Sequence, residues 1–391
     1  MWQLLWLLLP LAAFSGWWIG RRPLSRQSRS SPANLPADYF QGLNYLLNEQ
    51  PDRAIEVFTR LVEVDSETVE THLTLGNLFR RRGEADRAVR IHQNLIARPS
   101  LAPEQRAMAL LELGRDYLAA GLLDRAETLF IEAIEFPDFR VTALRCLLDI
   151  YQQEREWESA IDTAQRLQRA DGRNLQTEMG QFACEQAERL RRQHADPTEI
   201  RQVLRRATQF DRHCVRASLL HADLEQEEGR WRAAIKACQQ VSMQDADYIP
   251  EMLPRLEAAY HALDDRRAYR QELNRLFDLQ PAVSLTIKLS EVIEADEGRS
   301  PAVKFLATQL RTRPSLRGLD RLIALNIDTG DTDQRRQRDL QVLRELFQAL
   351  LADRLPYRCV QCGFEGHQLH WQCPSCRSWA SIKPRRGPEG E

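Results

Sequence analysis

A small residue recurs on a fixed beat along most of this 391-residue chain. Ala54 and Ala88 lie 34 residues apart, as do Ala126 and Ala160, and Ala234, Ala268 and Ala302 continue in the same step. Gly42, Gly76 and Gly114 precede the first three alanines at one constant distance, and Phe58, His92 and Phe130 follow them by four positions. An insertion around Ala102–Gln105 explains the one longer interval, and Ile200 fills the alanine position of a fifth unit with a longer internal loop. A period of this length implies stacked supersecondary units, each unable to bury its apolar face alone, rather than one closed core. Each unit reads as two antiparallel helices. The Gly and Ala positions let the backbones approach where the helices cross, and the large residue fills the next gap. Turn signals fall between helices at Gly83-Glu84, Ala120-Gly121, Glu228-Gly229 and Glu297-Gly298, and no β-branched alternation is long enough for a sheet.

The signature residues (Gly42, Asn44, Tyr45, Ala54, Phe58 against Gly76, Asn77, Phe79, Ala88, His92) resemble the tetratricopeptide repeat. The expected fold class is all-α: eight units over residues 35–315 and a degenerate ninth pair over 316–353, read through Leu340, Leu343, Leu346 and Leu350. The inner groove of such an array binds proteins or peptides, with a purely structural spacer as the alternative.

Residues 1–20 carry no charged side chain, and twenty helical residues span about 30 Å, the thickness of a bilayer core. Trp17 and Trp18 close the run, and Arg21, Arg22, Arg26 and Arg29 follow: an interfacial aromatic belt and a cationic flank. A cleaved signal peptide would put its positive charge before the apolar stretch. Residues 1–22 therefore read as a retained transmembrane anchor with Trp17, Trp18, Arg21 and Arg22 at the membrane interface. The charge bias places the N-terminus in the periplasm and the bulk of the chain in the cytoplasm. Residues 23–34, with Pro23, Pro32 and several Ser, read as a linker to an array over 35–353.

Four of the eight cysteines form Cys359-Val-Gln-Cys362-Gly and Cys373-Pro-Ser-Cys376. Two such knuckles aim four thiolates at one point, a tetrahedral site for one ion, either Zn²⁺ or rubredoxin-type iron. A disulfide, a redox pair, or replacement of a thiolate by His367 or His370 are the competing readings. Cys146, Cys184, Cys214 and Cys238 read as small buried hydrophobes. Residues 354–391 thus form a Cys₄ module too small for its own core, and Tyr357, Phe364, Trp371 and Trp379 are expected to dock it on its neighbour.

The 54 Lys+Arg and 56 Asp+Glu give a formal charge of −2, which argues against nucleic acid as a partner. The chain has no nucleophile elbow, phosphate loop or H-E-x-x-H, so no catalytic residue is assigned and no enzyme activity is expected.

Trp17–Arg22 (WWIGRR), His72–Arg80 (HLTLGNLFR), Leu113–Tyr117 (LGRDY), Tyr357–Gly363 (YRCVQCG) and Trp371–Trp379 (WQCPSCRSW) resemble stretches of the lipopolysaccharide assembly protein B family of Gram-negative bacteria, and the resemblance spans the chain. It implies a non-enzymatic adaptor of the cell inner membrane. Such an adaptor lowers lipopolysaccharide level by promoting degradation of the lipid A pathway deacetylase (LpxC) by the membrane protease FtsH. It also gathers other lipopolysaccharide synthesis and assembly proteins and is opposed by a membrane-embedded regulator at the anchor. By motif, Cys359, Cys362, Cys373 and Cys376 carry over as ligands of a metal that staples the module to the array. A homodimer is compatible with this reading. The residues alone also leave open a rubredoxin-like redox protein, if the site holds cycling iron, or an RNA-binding scaffold.

Overall fold

In the computed structural model, residues 37–64, 68–327, 334–352, 354–387 and 390 are described; the expected anchor, with Trp17, Trp18, Arg21 and Arg22, lies outside them. Among the described residues no helix is long and apolar enough to cross a membrane. The chain divides into two compact units between Phe139 and Arg140.

The first unit holds three helix pairs: α1 (Ala37–Leu47) with α2 (Pro51–Val64), α3 (Val69–Arg81) with α4 (Ala85–Ile96), and α5 (Pro103–Ala119) with α6 (Leu123–Ala133). Ala54, Ala88 and Ala126 are each the fourth residue of the second helix of a pair, and each is fully buried. The glycines serve a different purpose from the backbone approach expected of them. A Cβ at Gly42 would lie 2.6 Å from the Phe58 ring, at Gly76 2.4 Å from the His92 ring, and at Gly114 2.6 Å from the Phe130 ring. Each glycine is a socket for the ring that follows the alanine by four, so the two signature positions are one contact.

His92 puts a polar ring in that socket, and a polar network surrounds it. Its Nδ1 lies 2.5 Å from Asp116 Oδ2, with both side chains fully buried. Arg80 donates to Asp116 Oδ1 and Glu112 Oε2, each at 2.7 Å, and Arg115 holds the other oxygen of Glu112 at 2.6 Å. Pairing of this kind is what lets a buried carboxylate persist, since an unpaired one would cost several kcal/mol. His92 Nε2 has no hydrogen-bond partner among the described residues.

The second unit continues with α7 (Pro137–Glu154) and α8 (Trp157–Asp171), α9 (Gln176–Arg192) and α10 (Pro197–Phe210), and α11 (Val215–Glu227) and α12 (Trp231–Gln244). After a 3-10 turn (Ala246–Tyr248) come α13 (Ile249–Ala262) and α14 (Arg266–Leu279), α15 (Val283–Glu297) and α16 (Arg299–Thr312), and α17 (Leu316–Ile327) and α18 (Gln334–Ala352). The two units together contain nine helix pairs among the described residues, in the expected all-α class. Ala160, Ile200, Ala234 and Ala302 again stand fourth in their helices and are buried. Ala268 does not. It is the third residue of α14 and only half-buried, while Tyr269 takes the fourth place and is 8% exposed. The buried residues that follow, Leu273 and Leu276, keep step with Tyr269, so the seventh pair runs one residue late. On α18, Leu343, Leu346 and Leu350, which carried the helical reading of the ninth pair, are exposed.

The turn inside each of the first eight pairs carries one left-handed residue. Glycine supplies it at Gly83, Gly121, Gly229 and Gly298, while Glu49, Arg155, His194 and Asp264 adopt positive φ (51 to 60°) at the other turns.

Three short strands close the chain: β1 (Tyr357–Cys359), β2 (Glu365–Gly366) and β3 (Ile382–Pro384). They form an antiparallel sheet in the order β2-β1-β3, with Arg358 opposite Glu365 on one side and Lys383 on the other.

Candidate metal centre and its seat on the helices

Each cysteine pair sits on a backbone knuckle. In the first, the Cys359 N–H donates to Phe364 O (2.7 Å) and the Gly363 N–H donates back to Cys359 O (3.0 Å). In the second, the Cys373 N–H donates to Ser378 O (3.0 Å) and the Arg377 N–H to Cys373 O (2.9 Å). The residue after the second cysteine of each pair must turn left-handed. Gly363 does so at φ 79°, as its place in the motif suggests, and Arg377 does so at φ 57° with no glycine to mark it in the sequence.

All four Sγ atoms lie within 4.8 Å of one another. Cys359 and Cys376 are 3.8 Å apart, and Cys362 and Cys373 3.6 Å. A tetrahedron of thiolates on bonds of about 2.3 Å has edges of about 3.8 Å, so the separations fit one four-coordinate ion. They are far too long for disulfides, and all eight cysteines are free. Among the described residues this is the one cluster with metal-ligand geometry, and neither His367 nor His370 belongs to it.

The surroundings favour thiolate at two corners. Burial raises the Cys359 thiol, but Ser381 Oγ at 3.4 Å and the N–H groups of Gln361 and Cys362 outweigh it and bring the group to about 6. Ser378, with its hydroxyl and N–H at Cys376, lowers that thiol as well. Burial holds Cys373 up, at about 11, so a cation is needed to ionise it near neutral pH. Such a donor set binds Zn²⁺ or iron, and the ion would supply the cross-link that a sheet of three short strands lacks.

Cys359, Cys373 and Ile382 form a minimal core with Tyr357, Phe364 and Leu369 packed on it. Phe364 thus belongs to the interior of the module and is not one of the docking aromatics expected from the sequence. Two tryptophans make the seat. The Trp379 ring meets Phe182 and Trp157 edge-on at 5.7 and 6.4 Å, and its Nε1–H donates to Gln152 Oε1 at 3.0 Å. Trp371 stacks on Tyr248 at 5.6 Å, and the Arg216 guanidinium lies over its ring. Both rings thus pack against helices of the second unit.

Polar ties surround the rings. Tyr248 Oη donates to Ile382 O (2.8 Å) and Tyr357 Oη to Glu251 Oε1 (2.5 Å). Lys383 Nζ donates to Asp245 (2.7 Å) and Asp247 (3.0 Å), and Arg386 also pairs with Asp247. The module is fastened from α7 to α13, across four consecutive helix pairs.

Two family models match the chain: one described as "Rubredoxin metal binding domain" over residues 357–384, and one as "Tetratricopeptide repeat" over 40–102. The chain is 38% identical over 393 aligned residues to lipopolysaccharide assembly protein B of Escherichia coli strain K12, covering 100% of both. The chain belongs to the lipopolysaccharide assembly protein B family. The Haemophilus influenzae member is 37% identical over 98% of each chain. Among solved structures, the C-terminal part of a TPR repeat-containing protein from Cytophaga hutchinsonii aligns with 68% of this chain and 98% of its own, at 12% identity and a TM-score of 0.38.

The four remaining cysteines take no part in the metal centre. Cys184, Cys214 and Cys238 are buried as expected, while Cys146 is only half-buried. Cys184 and Cys214 have their sulfurs 3.7 Å apart, a proximity that nothing in their spacing announces.

Proposed function

We propose that this protein is a membrane-tethered, non-enzymatic adaptor in lipopolysaccharide assembly, with its Cys₄ ion as a structural staple. The observation that carries the reading is end-to-end similarity, at 37–38% identity, to relatives named for lipopolysaccharide assembly, joined to a metal module whose tryptophans pack on its own helices. Residues 1–22 would anchor the chain in the inner membrane through Trp17, Trp18, Arg21 and Arg22, leaving the array and the module on the cytoplasmic side. The array would hold the lipid A pathway deacetylase close to the FtsH protease, and a membrane-embedded regulator would act at the anchor. Confinement to one bilayer plane raises the effective concentration of two clients without any new contact.

The test is the half-life of the deacetylase in cells carrying the full chain or a form lacking residues 1–22. The adaptor reading expects rapid turnover with the full chain and a lengthened half-life with the truncated one. Equal half-lives would overturn the tethering. For the ion, a colourless zinc-loaded protein is expected, and a red preparation with a reversible potential would move the assignment to redox chemistry.

A further inference from the structure

The late register of the seventh helix pair leaves a mark on the surface. Where other pairs bury a small or aliphatic residue, Tyr269 enters, and beside it a pocket of about 230 Å³ opens between α13, α14 and α15. Tyr260 and Tyr269 wall the pocket, their rings 5.6 Å apart and tilted by 41°. Tyr269 is more than nine-tenths buried, yet its hydroxyl has no hydrogen-bond partner among the described residues. Buried hydroxyls are normally satisfied, so this one calls for a missing partner.

The charge around it indicates which kind. Glu257, Asp264, Glu291 and Asp296 line the pocket against Arg266 and His261. Lys288 is shared between Glu257 and Glu291, at 2.9 Å from each, and Arg270 between Asp296 and Glu297. Asp264 has no ion pair among the described residues. Four carboxylates thus line the pocket with Arg266 as the one permanent cation among the lining residues, and Lys288 and Arg270 are each already shared between two acids, so the pocket is acidic. Burial, then the charges of Glu257 and Glu291, raise the Tyr269 phenol, which places its hydroxyl within reach of their field and keeps it neutral.

We propose that this pocket receives the side chain of an arginine presented by a segment of a partner protein. The volume is below the roughly 300–1,000 Å³ of small-molecule sites and suits one long side chain. A guanidinium carries five donors and no acceptor, which matches a site offering a phenol oxygen and spare carboxylates. Only the source of the arginine rests on the adaptor reading; the chemistry of the pocket does not.

The experiment uses the full chain in nanodiscs, titrated with acetyl-Gly-Gly-Arg-Gly-Gly-amide, with the same peptide carrying citrulline, and with spermidine. The arginine peptide should bind at least about tenfold more tightly than the citrulline one, the difference expected of charge-assisted hydrogen bonds. Tyr269→Phe should weaken the arginine peptide about three- to tenfold with no loss of thermal stability, since the hydroxyl it removes has no partner in the folded protein. Asp264→Asn combined with Glu291→Gln should weaken it further. Equal binding of the citrulline peptide, or unchanged affinity in Tyr269→Phe, would overturn the site, and spermidine binding as tightly as the peptide would overturn the protein source. None of these readouts involves the deacetylase, so failure here and failure of the adaptor reading are told apart.

Discussion

The first three helix pairs and the pairs under the metal module solve the same packing problem with opposite choices of size. In the first unit, glycine on one helix faces a ring on the next: Gly42 with Phe58, Gly76 with His92, Gly114 with Phe130. At the equivalent positions of the fourth pair the sequence has Leu148 and Ala164, and of the sixth Ala222 and Cys238, all buried. The volume has moved from the second helix to the first, or has been evened out. Aromatic bulk in these later pairs is placed at the seat of the module instead, as Trp157, Phe182 and Tyr248. Socket-and-ring packing is therefore one way to build the repeat. A pair that carries cargo on its surface can give up the glycine so long as total volume is kept.

The largest effect should come from the ion. Removing it with a chelator, or by Cys359→Ser with Cys373→Ser, should abolish the protease resistance of residues 354–387 while the first unit digests as before. Structural zinc supplies an apparent 10–16 kcal/mol in small modules, far more than three short strands can replace. A module that stayed resistant without metal would show that the seat alone holds it.

Next comes the seat. Trp379→Ala should cost about 3–5 kcal/mol, read as early unfolding of the second unit in a thermal or denaturant melt, with metal content retained. The size exchange can be tested directly: Gly114→Leu alone should destabilise the first unit by about 1–3 kcal/mol, and the double change Gly114→Leu/Phe130→Ala, which copies Leu148 and Ala164, should recover part of the loss. Additive destabilisation would mean that the two packings are not interchangeable.

Acid provides a milder probe of the same difference. Burial pushes the Asp247 carboxyl up, but Lys383 and Arg386 outweigh it and hold the group below the ordinary carboxylate range. A group depressed in the folded state contributes stability above its unfolded value of about 3.9 and loses it as pH falls through the folded value. The Asp247 ties should be unchanged from pH 8 to about 5 and weaken only below about pH 4. An Asp247→Asn variant should lack that acid limb in a melt followed at the seat. Smallest of all, Arg155→Gly relieves a left-handed turn at φ 60° and should stabilise the second unit by no more than about 1 kcal/mol.

What could be read from the sequence was whatever repeats or lies close along the chain. The alanine beat marked the helix pairs because the fourth place of the second helix is buried in pair after pair, and C-x-x-C marked the knuckles because both ligands come from one turn. What stayed hidden depends on contacts across large separations. Trp379 meets Gln152 and Tyr357 meets Glu251, and no local pattern encodes such pairs. The Arg80–Asp116–His92 network was hidden because His92 occupies a slot that the period treats as apolar. Ala268 misled for a related reason: a 34-residue step lands on it by coincidence, while the chain has slipped by one and buries Tyr269.

A stack of repeats is mechanically a spring, since each coil touches only its neighbours and small tilts between coils add along the axis. The metal module grips this spring at Gln152, Phe182, Tyr248 and Glu251 simultaneously, as a splint does. Within the splinted stretch, coils can no longer tilt independently. Loading or losing a single ion therefore bears on the stiffness of the whole stretch from α7 to α13 and not only on the module that holds it.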